Sequence, residues 1–122
     1  MLIALLLFLA TAQAPVPHYY IYILKLARTD LVKTGPTAEE RAILDEHGAY
    51  HAKLTKDGIE IAAGPTIEDD PFGIAIFTAA SDDAAKAIMN ADPAVSKGVM
   101  TATLHRWHFA FGTAKPQTAK NP

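Results

Sequence analysis

Hydrophobic and polar positions along the chain predict four short β-strands. These segments are rich in aromatic and β-branched residues, and glycine, proline or acidic turns bound them, as is typical of strands. The predicted strands cover residues 19–26, 59–63, 72–79 and 99–111. The polar stretch 28–36, which ends in Gly35-Pro36, is expected to be a loop.

Two segments between the strands have helical patterns. The first begins at a capping box, with Thr37 at the N-cap and Glu40 three residues later, and it runs to about Asp57. A stripe at helical spacing follows one face of this helix and consists of Ile43, His47, Tyr50 and Leu54. The second helix is capped by Ser81 and runs to Ala91, where Asp92-Pro93 interrupts it.

The order of the elements, β-α-β-β-α-β, predicts an α+β fold of the ferredoxin-like type. In this fold an antiparallel sheet carries both helices on one face. The other face should be polar if it meets water, yet both alternating sets of the first and third strands are apolar. We therefore expect the second face to pack against another copy in a homodimer.

The N-terminus carries an unbroken apolar run, residues 2–10, which is too short to span a bilayer. Small residues follow the run, so we expect residues 1–12 to be a signal peptide cleaved after Ala12. The protein would then be exported to the periplasm or the medium, with no stable membrane insertion after cleavage. No Lys or Arg precedes the run, and the alternative is an uncleaved core element. Residues 13–18 form a spacer, 19–111 the domain and 112–122 a polar tail.

Composition limits the function classes further. The net charge of −2 and the lack of a Lys/Arg run disfavour a nucleic-acid partner. The chain contains no cysteine, which excludes disulfides, thiolate catalysis and cysteine-ligated zinc.

His47 is the histidine of greatest interest, because it lies in the centre of the apolar helical stripe. It is interpreted either as a core histidine with a satisfied hydrogen bond or as a site residue. His51 lies four residues on, a spacing that can bind metal, but no third ligand is evident and no metal is predicted. His105 and His108 lie on opposite faces of the fourth strand, so they cannot line one site.

The chain resembles the YCII-related family. The resemblance rests on His47, on Gly64-Pro65 at the end of the second strand, on residues 91–95 (ADPAV) and on Gly98-Val99. It covers residues 19–111 and implies a dimeric α/β barrel related to muconolactone isomerase and to small monooxygenases. It also implies a His–Asp active site, for which the matching positions are His47 and Asp92.

Three functions remain open. The first is acid–base chemistry by His47 and Asp92 on a small molecule, namely isomerisation, elimination or dehydrohalogenation, as in a lyase or isomerase without a cofactor. The second is a non-catalytic dimer that binds a small ligand. The third is a monooxygenase-like role, for which only the analogy of fold argues. Asp92 also suits the start of a helix, since Pro93 follows it.

Overall fold

The computed structural model describes residues 16–112 of the 122. The four strands are β1 (His18–Leu26), β2 (Glu60–Pro65), β3 (Phe72–Ala79) and β4 (Met100–Trp107). The four helices are α1 (Leu31–Thr34), α2 (Ala38–Lys56), α3 (Asp82–Ala91) and α4 (Pro93–Ser96). The capping box predicted at Thr37 and the N-cap predicted at Ser81 are both present, so local sequence signals set where α2 and α3 begin.

The strands form one antiparallel sheet in the order β2-β3-β1-β4. This order and the element sequence confirm the predicted α+β, ferredoxin-like fold. The core lies on the helix-covered face, where alternate side chains of β1 and β3 are buried against α3. Those of β1 are Tyr20, Tyr22 and Leu24.

The opposite face of the sheet is apolar at its centre. Tyr19, Ile21 and Ile23 of β1 lie beside Ile74 and Ile76 of β3 on this face, and all five are half-buried. The fourth strand adds more polar side chains to the same face. The expectation that a second copy covers this face therefore remains a prediction.

The loop predicted over residues 28–36 contains one helical turn, α1, so that prediction was incomplete. The turn is too short to show a helical period in the sequence. Tertiary contacts hold it instead: Leu31 is buried against Ile43 and Val99. Arg28 adds hydrogen bonds to Glu40 of α2 and to the carbonyl oxygen of Gly35.

The fourth strand is shorter than predicted, because it ends at Trp107 and not at residue 111. Trp107 pairs with Tyr19 of β1, and β1 begins at His18, so residues beyond 108 have no strand residue opposite them. Within residues 16–112, no helix has the length and apolar character needed to cross a membrane. The predicted signal peptide, and the predicted tail beyond Gly112, lie outside the described residues.

Candidate active site

Helix α2 presents two histidines, one turn apart, towards the sheet. His47 and His51 are four residues apart, so both rings lie on one face of the helix, and their centroids are 4.5 Å from each other. Both residues are half-buried. This placement results from the apolar stripe, whose ends at Ile43 and Leu54 are buried.

Asp92 meets these histidines from the junction between α3 and α4. Its side chain is fully buried, and Oδ1 accepts a hydrogen bond from the backbone N–H of Ala94, which caps α4. The same oxygen lies 2.7 Å from Nδ1 of His47. The structure thus brings together the two residues that the family resemblance implied, and Asp92 serves both as a cap and as the partner of His47.

Three further side chains complete the cluster around Asp92 and the histidines. The hydroxyl of Tyr22, from β1, donates to Oδ2 of Asp92 at 3.1 Å. His51 lies between two carboxylates, with Nδ1 2.5 Å from Glu60 and Nε2 3.2 Å from Asp92. Thr55 donates to the other oxygen of Glu60 at 3.1 Å.

The sequence interpretation missed the role of three members of this cluster. It considered His51 only as a possible metal ligand and gave Tyr22 and Glu60 no role. The spacing of His47 and His51 was the available signal for His51. Glu60 gives no such signal, because its burial depends on how the start of β2 packs beneath α2.

The hydrogen bonds in the cluster shift the pKa values of Asp92 and His51. Burial alone would lower the pKa of His51, but its hydrogen bonds to Asp92 and Glu60 raise that pKa to about 9. Burial would raise the pKa of Asp92, but hydrogen bonds from His47 and His51 hold it well below its ordinary value. These contacts favour the ionised form of Asp92 and the protonated form of His51.

A cavity of about 320 Å³ opens beside the two histidines on the helix-covered face. Its wall is mainly apolar and comes from α2 and all four strands, with Leu24, Phe72 and Met100 among its residues. His47 and His51 are the ionisable side chains among its described lining residues. Gly48 also lines it, and a Cβ at Gly48 would enter open space.

A larger cleft, of about 750 Å³, lies at the opposite end of β1. Asp82 and Arg106 line it and form an ion pair exposed to solvent. Its lining includes His108, which is also exposed, while His105 lies exposed on the face without helices. The cleft thus lacks the buried ionisable cluster that makes the smaller cavity the candidate site.

Asp92 also lies close enough to the two histidines for a metal site to be considered. Ligand atoms of His47, His51 and Asp92 lie within 4.8 Å of one another. Both oxygens of Asp92 and both nitrogens of His51 are, however, in hydrogen-bonding contact with protein groups. Metal binding would replace several of these bonds, whereas proton transfer uses them as they are.

Comparison with known proteins identifies the type of domain. Residues 20–107 match the model of the YCII-related domain. The fold is similar to that of 5-chloro-2-hydroxyhydroquinone dehydrochlorinase from Burkholderia phenoliruptrix AC1100, solved in complex with 2,5-dihydroxybenzoquinone. The TM-score is 0.50 at 19% sequence identity, over 73% of this chain and 93% of that one. A comparison with curated protein sequences gives no match.

Proposed function

Since the chain belongs to the YCII-related family, we propose that it is a small-molecule enzyme in which His47 acts as general base and acid. The observation that carries this proposal is the hydrogen bond between Nδ1 of His47 and the buried Asp92 at the edge of an apolar cavity. A His–carboxylate pair of this geometry has one ring nitrogen occupied and the other available for substrate.

The proposed chemistry follows from the tautomer that Asp92 selects. A carboxylate accepts hydrogen bonds, so Nδ1 of His47 carries the proton and Nε2 has a free lone pair. Among residues 16–112, no group hydrogen-bonds to Nε2 of His47. This nitrogen would take a proton from the substrate, and Asp92 would stabilise the resulting imidazolium. The proton would then return to the product or leave with the departing group.

The cavity supports a small, largely apolar substrate. A volume of about 320 Å³ is at the lower end of the usual range for ligand sites, which is roughly 300–1,000 Å³. Its described lining has no Lys or Arg to bind a substrate carboxylate or phosphate. Dehydrohalogenation is the reaction we favour, in which a base removes a proton and the halide leaves with the electron pair of its bond to carbon. The similar structure is that of a dehydrochlorinase, which is a reason to test this reaction first.

Chloride release from 5-chloro-2-hydroxyhydroquinone tests the proposal. The wild-type chain should release chloride above the uncatalysed rate, and His47→Ala should lose at least about 100-fold in kcat, the lower end of the usual contribution of general acid–base catalysis. Equal activity in His47→Ala would refute the assigned role of His47. Binding of 2,5-dihydroxybenzoquinone without turnover of the chloro compound would favour the non-catalytic binding protein.

Gly48 provides a test of the cavity that leaves the cluster in place. Gly48→Leu adds a side chain where a Cβ meets nothing within 4 Å, so it should block binding of 2,5-dihydroxybenzoquinone. The same change should raise stability by up to about 1 kcal/mol, since glycine within a helix is unfavourable. Unchanged binding in a folded Gly48→Leu variant would place the ligand elsewhere.

We further propose that the domain is a homodimer assembled through the sheet face without helices. Isoleucines at the centre of this face, among them Ile21 and Ile76, support the proposal, because a dimer would remove them from water. Sedimentation should give twice the monomer mass, and Trp107→Asp should weaken the dimer, while Ile67→Asp in the exposed β2–β3 loop should not. A stable monomer at micromolar concentration would contradict this assembly.

Export also remains a proposal, which the apolar run at residues 2–10 supports. N-terminal sequencing of the exported form should begin at Gln13. Recovery of the chain from the cytoplasm with Met1 intact would refute it.

A further inference from the structure

His51 is in a different position from His47, because both of its ring nitrogens face carboxylates. Nδ1 lies 2.5 Å from Oε2 of Glu60 and Nε2 lies 3.2 Å from Oδ2 of Asp92. A neutral imidazole has only one N–H, so it would point a lone pair at one of these acceptors. Only the imidazolium donates to both, and the side chain of Glu60 is almost fully buried, so water cannot readily replace it.

We propose that His51 is a fixed cation that positions Asp92 and keeps it ionised. His47 is then the only histidine of the cluster that exchanges a proton with a substrate in the cavity. His51 would thus be a positioning residue and not a catalytic one. The effect of His51 on turnover rests on the proposed function, but the charge of His51 can be measured without any substrate.

The groups around His51 are consistent with a single positive charge there. Tyr22 faces it from β1, Glu60 from β2 and Asp92 from the α3–α4 junction. His47 and Tyr50 lie beside it on α2. Burial and the nearby Asp92 raise the pKa of Tyr22, so this tyrosine stays neutral. Among the described residues that form hydrogen bonds with the side chain of His51, the charged groups are thus two carboxylates. None of these residues is a Lys or Arg.

A cation at His51 holds Asp92 in place against His47. With His51 protonated, each carboxylate oxygen of Asp92 has a histidine beside it, and the negative charge is partly neutralised. A neutral His51 would instead direct a lone pair at Asp92 or at Glu60, and that contact would no longer be a hydrogen bond.

Nitrogen-15 NMR of the histidine rings in the full chain tests the charge of His51 directly. Both ring nitrogens of His51 should be protonated at pH 7, and the proton should be lost with a midpoint near pH 9. A neutral ring at pH 7, with one unprotonated nitrogen, would overturn the proposal. This measurement needs no variant, so it remains decisive even where a substitution prevents folding.

Glu60→Gln tests whether the second carboxylate fixes this charge. The amide keeps the size and a hydrogen-bond acceptor, so the midpoint of His51 should fall by about 1–2 pH units through loss of charge. Glu46→Gln is the matched control, because Glu46 lies on the same helix but pairs with Lys97 at the surface. The control should shift the midpoint by less than about 0.3 units, since exposed charges are well screened. Equal shifts in the two variants would contradict a specific role for Glu60.

The pH profile of turnover separates positioning from mere structural support. In Glu60→Gln, the basic limb of kcat/KM for chloride release from 5-chloro-2-hydroxyhydroquinone should move down by about 1–2 pH units, together with the midpoint of His51. A structural defect would instead lower the rate by the same factor at every pH, and that result would overturn the positioning role. If the chloro compound is not turned over at all, the proposed function fails, whereas the NMR result on His51 stands or falls separately.

Discussion

Two tyrosines of β1, two residues apart on the same face, each donate a hydrogen bond to an aspartate at an end of α3. Tyr20 donates to Asp82 at 2.8 Å, at the start of the helix, and Tyr22 donates to Asp92 at 3.1 Å, just after its end. Asp82 is paired with Arg106, whereas Asp92 is paired with His47 and His51. The same Tyr–Asp hydrogen bond thus occurs twice. One aspartate is paired with an arginine and the other with histidines.

Solvent and the choice of cation make the two sites different. Asp82 and Arg106 are largely exposed, and the hydrogen bonds from Arg106 lower the pKa of Asp82 to about 2. Arginine does not release its proton in proteins, so this pair can only support the structure. Asp92 is fully buried, and both of its ring partners are histidines, a residue type that, unlike arginine, can exchange a proton. The comparison indicates that burial and histidine together, and not the Tyr–Asp contact, make a site capable of proton transfer.

Removing each aspartate should show the largest difference between the two sites. Asp92→Ala removes the buried carboxylate that His47, His51 and Tyr22 share, so the free energy of unfolding should fall by about 3–5 kcal/mol. Asp82→Ala loses an exposed ion pair, and Tm should change by less than about 3 °C. Thermal and urea unfolding of both variants measures this. Equal losses would mean that burial of Asp92 does not matter.

The stability of the domain should depend on pH through His51. Its pKa is raised from 6.5 to about 9 on folding, so its contribution is complete below pH 6.5 and is lost as the pH rises towards 9. The loss should be about 3 kcal/mol over that interval, at about 1.4 kcal/mol per unit. Urea unfolding at several pH values checks this, and Glu60→Gln should flatten the curve. Constant stability between pH 6.5 and 9 would contradict a cationic His51.

Loss of each tyrosine hydroxyl should give the smallest effect of the series. Tyr22→Phe should lower the free energy of unfolding by about 1–2 kcal/mol, because Asp92 then lacks one buried donor. Tyr20→Phe should have a smaller effect, since water can reach the exposed Asp82 and replace the hydroxyl. Urea unfolding of the two variants side by side measures the difference. A greater loss in Tyr20→Phe would reverse our ranking of the two sites.

The fold could be predicted from local signals, and the candidate site only in part. Capping residues, strand alternation and the breaks at glycine and proline are local, so they gave the element order and the α+β fold. The one-turn helix α1 and the end of β4 depend on tertiary partners. This explains why neither feature was predicted from the sequence.

For the site, His47 was visible in the helical stripe, and the family resemblance supplied Asp92. The sequence could not show that Glu60 is buried beneath His51, because this contact depends on the position of β2 relative to α2. The role of Tyr22 was hidden for a similar reason. A tyrosine in an apolar strand looks the same whether its hydroxyl meets an exposed carboxylate, as Tyr20 does, or a buried one.

The central claim, that the buried aspartate with its histidines performs the chemistry and the exposed one does not, is tested most directly by neutral amides at both positions. Chloride release from 5-chloro-2-hydroxyhydroquinone would be compared for wild type, Asp92→Asn and Asp82→Asn at one pH. We predict that Asp92→Asn loses at least about 100-fold in kcat, while Asp82→Asn stays within about twofold of wild type, as expected for an exposed pair. A folded Asp92→Asn variant with wild-type turnover, or equal losses in both variants, would contradict the account.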